Sequence, residues 1–152
     1  MLSNSETVYT RPVHYYETDR MDCVHHSNYI RWFEEARVYF MAEHGFSYES
    51  LEAEGIVSPV LKAEAEYHAM CRFGDTVEIR IAIESYSGTR ISFLYQVQDQ
   101  ATGKLRCSGR TCHCFLNRAG KPVSLKKVLP EYHLRIQAYL TGEEESGWQR
   151  QS

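Results

Sequence analysis

Two stretches of the chain alternate apolar and polar residues with a period of two. Val77, Ile79, Ile81 and Ile83 interleave with Glu78, Arg80, Ala82 and Glu84, and Ile91, Phe93, Tyr95 and Val97 interleave with Ser92, Leu94, Gln96 and Gln98. Successive side chains of a strand point to opposite faces, so each stretch is a half-buried strand with one covered face. Residues 87–89 and 100–104 are turns. Strands beginning near Val57, Thr76, Arg90 and Lys104 are therefore expected to form an antiparallel meander, with residues 105–116 as its last long member. Such a sheet has one apolar face that something must cover.

Only one segment is long enough to be that cover. From Tyr29 the residues Tyr29, Trp32, Phe33, Ala36 and Phe40 recur at helical spacing, while Arg31, Glu34, Glu35 and Arg37 lie mostly off that stripe. Ser27 or Asn28 can cap the helix start, and Gly45 after His44 supplies a left-handed stop. Ahead of it, residues 7–14 read as a first strand, placed at an edge by Pro12. Residues 47–55 form a short second helix, 117–123 a turn into an extended piece, and 130–140 a C-terminal helix. An α+β domain follows, with a curved antiparallel sheet wrapped around a long central helix. At 152 residues the chain is expected to be one domain, with residues 1–6 fraying and a loose polar tail over 142–152.

A formal charge of −3 with both signs interspersed provides no basic stripe for a phosphate backbone, so nucleic acid is not an expected partner. No run of about 18 apolar residues and no signal-like leader occurs, so no membrane is expected either. The five cysteines make no recognisable disulfide framework and point to a reducing, cytoplasmic setting.

Chemistry-bearing residues concentrate just before the long helix, in "YYETDRMDCVHHSNYIRWFEEARVYF". His25, His26, Asp19, Asp22 and Cys23 are suitable metal-ligand types, with His14 nearby and Cys112, His113 and Cys114 as a second group. Their spacing argues against a metal, because adjacent histidines diverge and a strand sends His113 to the face opposite both cysteines. Cys23 with His25 offers a thiol nucleophile and base, against the simpler reading of a buried thiol. Asp19 offers a carboxylate that the loop can bring near the free amides of a helix N-terminus, a geometry suited to a developing oxyanion. A plain turn-capping role for Asp19 weighs equally on the residues alone. Glu17 reads as a weaker candidate on a solvated face.

The same stretch resembles the signature of the 4-hydroxybenzoyl-CoA thioesterase family, acyl-CoA thioesterases of the hot-dog fold. There a T-D-x-x-G-x-V-x-x-x-N-Y loop leads into a central helix, and Thr18, Asp19, Val24, Asn28 and Tyr29 match in register. The resemblance implies Asp19 as the catalytic carboxylate, attacking the thioester or activating water, and the His26 backbone amide as the donor that polarises the carbonyl. It implies no metal and no redox cofactor. By the same resemblance Arg90 is expected at coenzyme A, with Arg72, Arg110 and Lys121 as weaker cations, while Tyr29, Trp32, Phe33 and Tyr67 form either an acyl wall or plain core. A homodimer, often built into a tetramer, is implied, with active sites between subunits. Asp22 departs from the family by replacing a glycine; it either acts on Asp19 as a like charge or sits in solvent. Hydrolysis of an acyl-CoA is the expected reaction. A non-catalytic acyl-CoA-binding or assembly subunit and an acyl carrier protein thioesterase are the alternatives.

Overall fold

The structure, a computed structural model, describes residues 6–142, so residues 1–5 of the N-terminal leader and 143–152 of the polar tail lie outside the described residues. Along the chain come β1 (Thr7–Pro12), a single 3-10 turn (Tyr15–Glu17), α1 (Ser27–Glu43), α2 (Tyr48–Ala53), β2 (Val60–Tyr67), β3 (Thr76–Tyr86), β4 (Arg90–Asp99), β5 (Leu105–Cys114), α3 (Leu125–Val128) and α4 (Pro130–Thr141). The five strands form one sheet in the order β1-β3-β4-β5-β2, every neighbouring pair antiparallel. The hot-dog architecture expected from the sequence is what the chain adopts.

The period-two stretches face as expected. Val77, Ile79 and Ile81 of β3 and Ile91, Phe93, Tyr95 and Val97 of β4 are buried against Trp32, Phe33, Ala36 and Phe40 of α1. At roughly 25 cal/mol per Å² of apolar surface, this interface is the main stabilising element of the domain. Helix and sheet approach closely because β5 has Gly109 beneath α1. A Cβ there would lie 2.3 Å from the Phe33 ring and 2.6 Å from the Glu64 carbonyl oxygen. With no side chain in the way, the Phe33 ring stacks on Tyr95 at 4.3 Å between centroids.

Three expectations need correction. The meander is β3-β4-β5 only, because β2 crosses to the far edge and pairs with β5, from Val60 opposite His113 to Tyr67 opposite Cys107. Past Tyr67, His68 and Ala69 both donate to the Arg106 carbonyl and carry the chain on from β2. Neither Ser27 nor Asn28 caps α1. The N-cap is His26, and the His25 imidazole takes the capping role, its Nδ1 accepting from the Ser27 amide at 3.2 Å. Arg37 belongs to the buried face of α1, at 4% exposure. The β3 alternation also breaks at a bulge between Ile83 and Ser85, which turns Tyr86 inward to meet His133.

Candidate active site

After β1 the chain is pinned before it reaches Asp19. Glu17, placed on a solvated face by sequence reasoning, is only 4% exposed. Its Oε1 accepts from Arg11 Nη1 and from the His14 amide, both at 2.8 Å, and its Oε2 accepts from Trp32 Nε1 at 2.9 Å. Arg11 is shared with Glu35 at 2.9 Å and lies over the Trp32 ring. Burial works to raise the Glu17 pKa, but the Arg11 guanidinium and the Trp32 and His14 N–H groups outweigh it and hold the carboxyl below its ordinary value. The Glu17 backbone carbonyl accepts from the His25 amide at 2.9 Å and from Asn28 Nδ2 at 3.0 Å. One residue thus joins β1, the turn and the first turn of α1. Arg11 and Trp32 were the signal for it, since a buried arginine and an indole N–H both require an acceptor.

Residues 18–24 then form a tight hairpin. Thr18 and Val24 pair as an isolated antiparallel bridge, the Asp19 amide donates to the Cys23 carbonyl at 2.9 Å, and the Asp22 amide donates to the Asp19 carbonyl at 3.0 Å. The turn requires a left-handed residue, and Asp22 supplies it with φ 61°. This is the position where the resembling family has glycine. The Asp22 side chain points outward, 84% exposed, with Arg72 Nη1 on its backbone carbonyl at 2.9 Å. Asp22→Gly is expected to keep stability within about 1 kcal/mol, while Asp22→Val should cost about 1–2 kcal/mol, because a β-branched residue pays the full left-handed penalty. Urea unfolding of the two variants checks this.

Asp19 is half-buried, its Oδ1 accepting from the Met21 amide at 2.8 Å and meeting Cys23 Sγ at 3.7 Å. Its Oδ2 makes no hydrogen bond to a described residue. Burial and the Asp19 carboxylate push the Cys23 thiol up, away from the thiolate that a thiol nucleophile needs. His25 and His26 stack on each other at 4.2 Å, and His113 points into the core while Cys112 and Cys114 lie on the opposite face of β5.

At the start of α1 the amides of His25, Ser27, Asn28 and Tyr29 all have acceptors: the Glu17 carbonyl, His25 Nδ1, the His25 carbonyl and the His26 carbonyl. The His26 N–H has none among the described residues. No acidic side chain stands in the first turn, so the positive end of the helix dipole is not neutralised there. The His26 carbonyl is fixed by the Tyr67 hydroxyl of β2 at 3.1 Å. Val24, His26, Tyr29, Tyr67 and Met70 line a cavity of about 350 Å³ at this end of the groove between α1 and β2. Tyr29 is 3% exposed, and burial raises its hydroxyl pKa so that it stays protonated. Trp32 and Phe33 are core. Arg90 is not near its own Asp19. It opens β4 at the opposite end of the sheet from the Val13–Asp75 contact beside the hairpin, about 30 Å away along the strand.

Residues 13–135 match the model of the thioesterase-like superfamily. The chain is 32% identical over 122 residues to a Bacillus subtilis (strain 168) protein described as "Putative acyl-CoA thioesterase YneP", covering 80% of this chain and 88% of that one. It is 37% identical over 126 residues to an Aquifex aeolicus (strain VF5) protein described as "Putative esterase", covering 82% and 94%. Among solved structures, a DHNA-CoA thioesterase from Staphylococcus aureus superposes with a TM-score of 0.84 at 30% identity, covering 92% and 95% of the two chains. The hairpin that carries Asp19, the helix it leads into and strands β2 to β5 of the sheet all fall inside the matched span, with only β1 ahead of it: the chain belongs to the thioesterase-like superfamily.

Proposed function

We propose that the protein hydrolyses acyl-CoA thioesters, with Asp19 as the catalytic carboxylate and the His26 backbone amide as the donor to the thioester oxygen. The observation that carries the reading is the His26 amide at the head of α1, which has no acceptor among the described residues while its neighbours are all satisfied; the hairpin leading into that helix carries Asp19, whose Oδ2 makes no hydrogen bond to a described residue. A donor aimed at developing negative charge and not spent within the protein stabilises a tetrahedral intermediate without reorganisation. The relatives' names support acyl-CoA as the substrate class.

The reaction balances simply. Water adds to the thioester carbonyl, the carbon–sulfur bond breaks, and the products are the carboxylate, coenzyme A thiol and a proton. Asp19 either takes the proton from the attacking water or attacks first, giving a mixed anhydride that water opens. Thiolate leaves readily, so one carboxylate and one oxyanion donor suffice. Neither route uses a metal or redox group.

β2 supports a homodimer. It is an edge strand with Val60, Leu61 and Tyr67 about half exposed, and an open edge of this length is stabilised by pairing with a second copy. A tetramer follows if two such dimers pack together. Arg90, remote from its own Asp19, then contacts coenzyme A bound at another subunit's site, and Tyr29 borders the acyl group. The five cysteines are free, which suits cytoplasm. Among the described residues no helix is long and apolar enough to cross a membrane.

The test is a panel of acyl-CoAs with a thiol-trapping dye. Thiol release well above background is expected for at least one member, with Arg90→Ala raising KM and leaving kcat unchanged; silence across the panel would sink the assignment.

A further inference from the structure

The middle of α1 carries a buried cation with no ion-pair partner among the described residues. Arg37 donates from Nε to the Tyr48 hydroxyl at 3.0 Å and from Nη1 to the Tyr95 hydroxyl at 3.1 Å. Tyr95 continues to Thr111 Oγ1 at 2.6 Å, and Thr111 to His113 Nε2 at 2.8 Å. No carboxylate enters that chain, and burial raises the Tyr95 hydroxyl pKa so that it stays protonated. Burial, helped by the Arg37 charge, lowers the His113 pKa to about 4. The ion pairs among the described residues do not include Arg37. Arg11, the other buried arginine packed on α1, has two carboxylates. An interior cation without a counter-charge bears a desolvation cost that hydroxyls offset only in part.

Arg37 is not sealed. It lines a cavity of about 420 Å³ together with Val38, Tyr48, Ser58 and Pro59, at the end of the α1/β2 groove away from His26. The buried side-chain nitrogens and oxygens lacking any partner are Arg106 Nε and His113 Nδ1 among the described residues. Arg37 Nη2, which bonds to no described residue, is not among them and so keeps access to the cavity. The Tyr48 hydroxyl accepts from Arg37, which leaves its own proton for a ligand. Glu34 and Glu52 stand exposed at the rim and disfavour a multiply charged group such as a phosphate.

We propose that this cavity binds a single carboxylate, held by Arg37 Nη2 with a second hydrogen bond from the Tyr48 hydroxyl. Eleven residues separate His26 from Arg37, about 16 Å of helix, so the carboxylate is not the reacting group. Two sources share this chemistry: the far end of a dicarboxylic acyl group, or a free carboxylate acting as effector. The first source rests on the hydrolase reading; the second does not.

Two measurements decide. The first is kcat/KM for succinyl-, adipyl- and suberyl-CoA against butyryl-, hexanoyl- and octanoyl-CoA, in the wild type and in Arg37→Met. The second is the melting temperature of both proteins with added adipate. An acyl source predicts about tenfold or greater preference for at least one carboxylate-ended substrate, lost in Arg37→Met, as a charge-assisted hydrogen bond demands. An effector source predicts a melting shift by adipate in the wild type only, with no acyl preference. No preference and no shift overturns the proposal, as does either effect persisting in the variant. Should no acyl-CoA be turned over, the hydrolase reading fails and the melting shift still decides the site. Tyr48→Phe keeps the cation and the ring, so it carries the same comparison if Arg37→Met does not fold, with a smaller loss expected.

Discussion

Asp19→Asn is expected to lower kcat by about a thousandfold, the middle of the range for removing one acid–base group. The substitution keeps the side chain's shape and an oxygen that can still accept from the Met21 amide. Melting temperature and oligomeric state should therefore stay close to wild type. A fully active variant would refute the role given to Asp19. Single turnover in oxygen-18 water then separates the two routes. A general base places the label in the product acid alone, whereas label in the Asp19 carboxylate after the first turnover identifies a nucleophile whose mixed anhydride water opens at the aspartyl carbon.

Glu17→Gln is expected to cost about 3 kcal/mol of stability, because it leaves Arg11 in a nearly dry site with half its counter-charge. For a chain of this size that corresponds to a fall in melting temperature of about 10 °C. The pH dependence follows from the depressed Glu17 pKa. The folded state binds the Glu17 proton less readily than the unfolded state does. The stabilisation is therefore fully present above the ordinary glutamate pKa and is lost as pH falls through the lower folded value. Wild-type stability should drop over that acid window, and the variant should show a shallower drop; identical acid profiles would count against the assignment. Because the Glu17 side chain, through Arg11 and Trp32, holds in place the backbone carbonyl that accepts from the His25 amide and Asn28, kcat should fall about tenfold even where the variant is fully folded. A variant with wild-type kcat would mean that Glu17 stabilises the fold without positioning the site.

What was legible in the sequence was local. Ile91, Phe93, Tyr95 and Val97 declare their face through a period that needs no partner to interpret, and Tyr29, Trp32, Phe33, Ala36 and Phe40 do the same for α1. The segment around Asp19 was legible as a turn ahead of α1, but on the residues alone a capping and a catalytic role weighed equally, and only the family resemblance separated them. β2 was not legible, since its alternation says which faces it presents but not that its neighbour is β5, some forty residues on. Glu17 and Arg37 were misplaced for a related reason. A charged residue reads as solvated until partners arrive from elsewhere, here Arg11 and Trp32 for one, Tyr48 and Tyr95 for the other. Arg37 had a local hint as well: four residues from Phe33 and from Met41, it sits on the covered side of the helix. The bulge that turns Tyr86 inward left no mark in the alternation that precedes it.

The His26 amide, without an acceptor among the described residues, also has a kinetic signature. Hydrogen exchange at a bonded amide waits for an opening event, and the bonds made by His25 and Asn28 tie their opening to that of the Glu17 network and the core behind it. The His26 N–H waits for nothing of the kind. In deuterated solvent it should exchange at close to its intrinsic rate between two slow neighbours. Any occupant of the cavity that takes up this donor should slow that one amide.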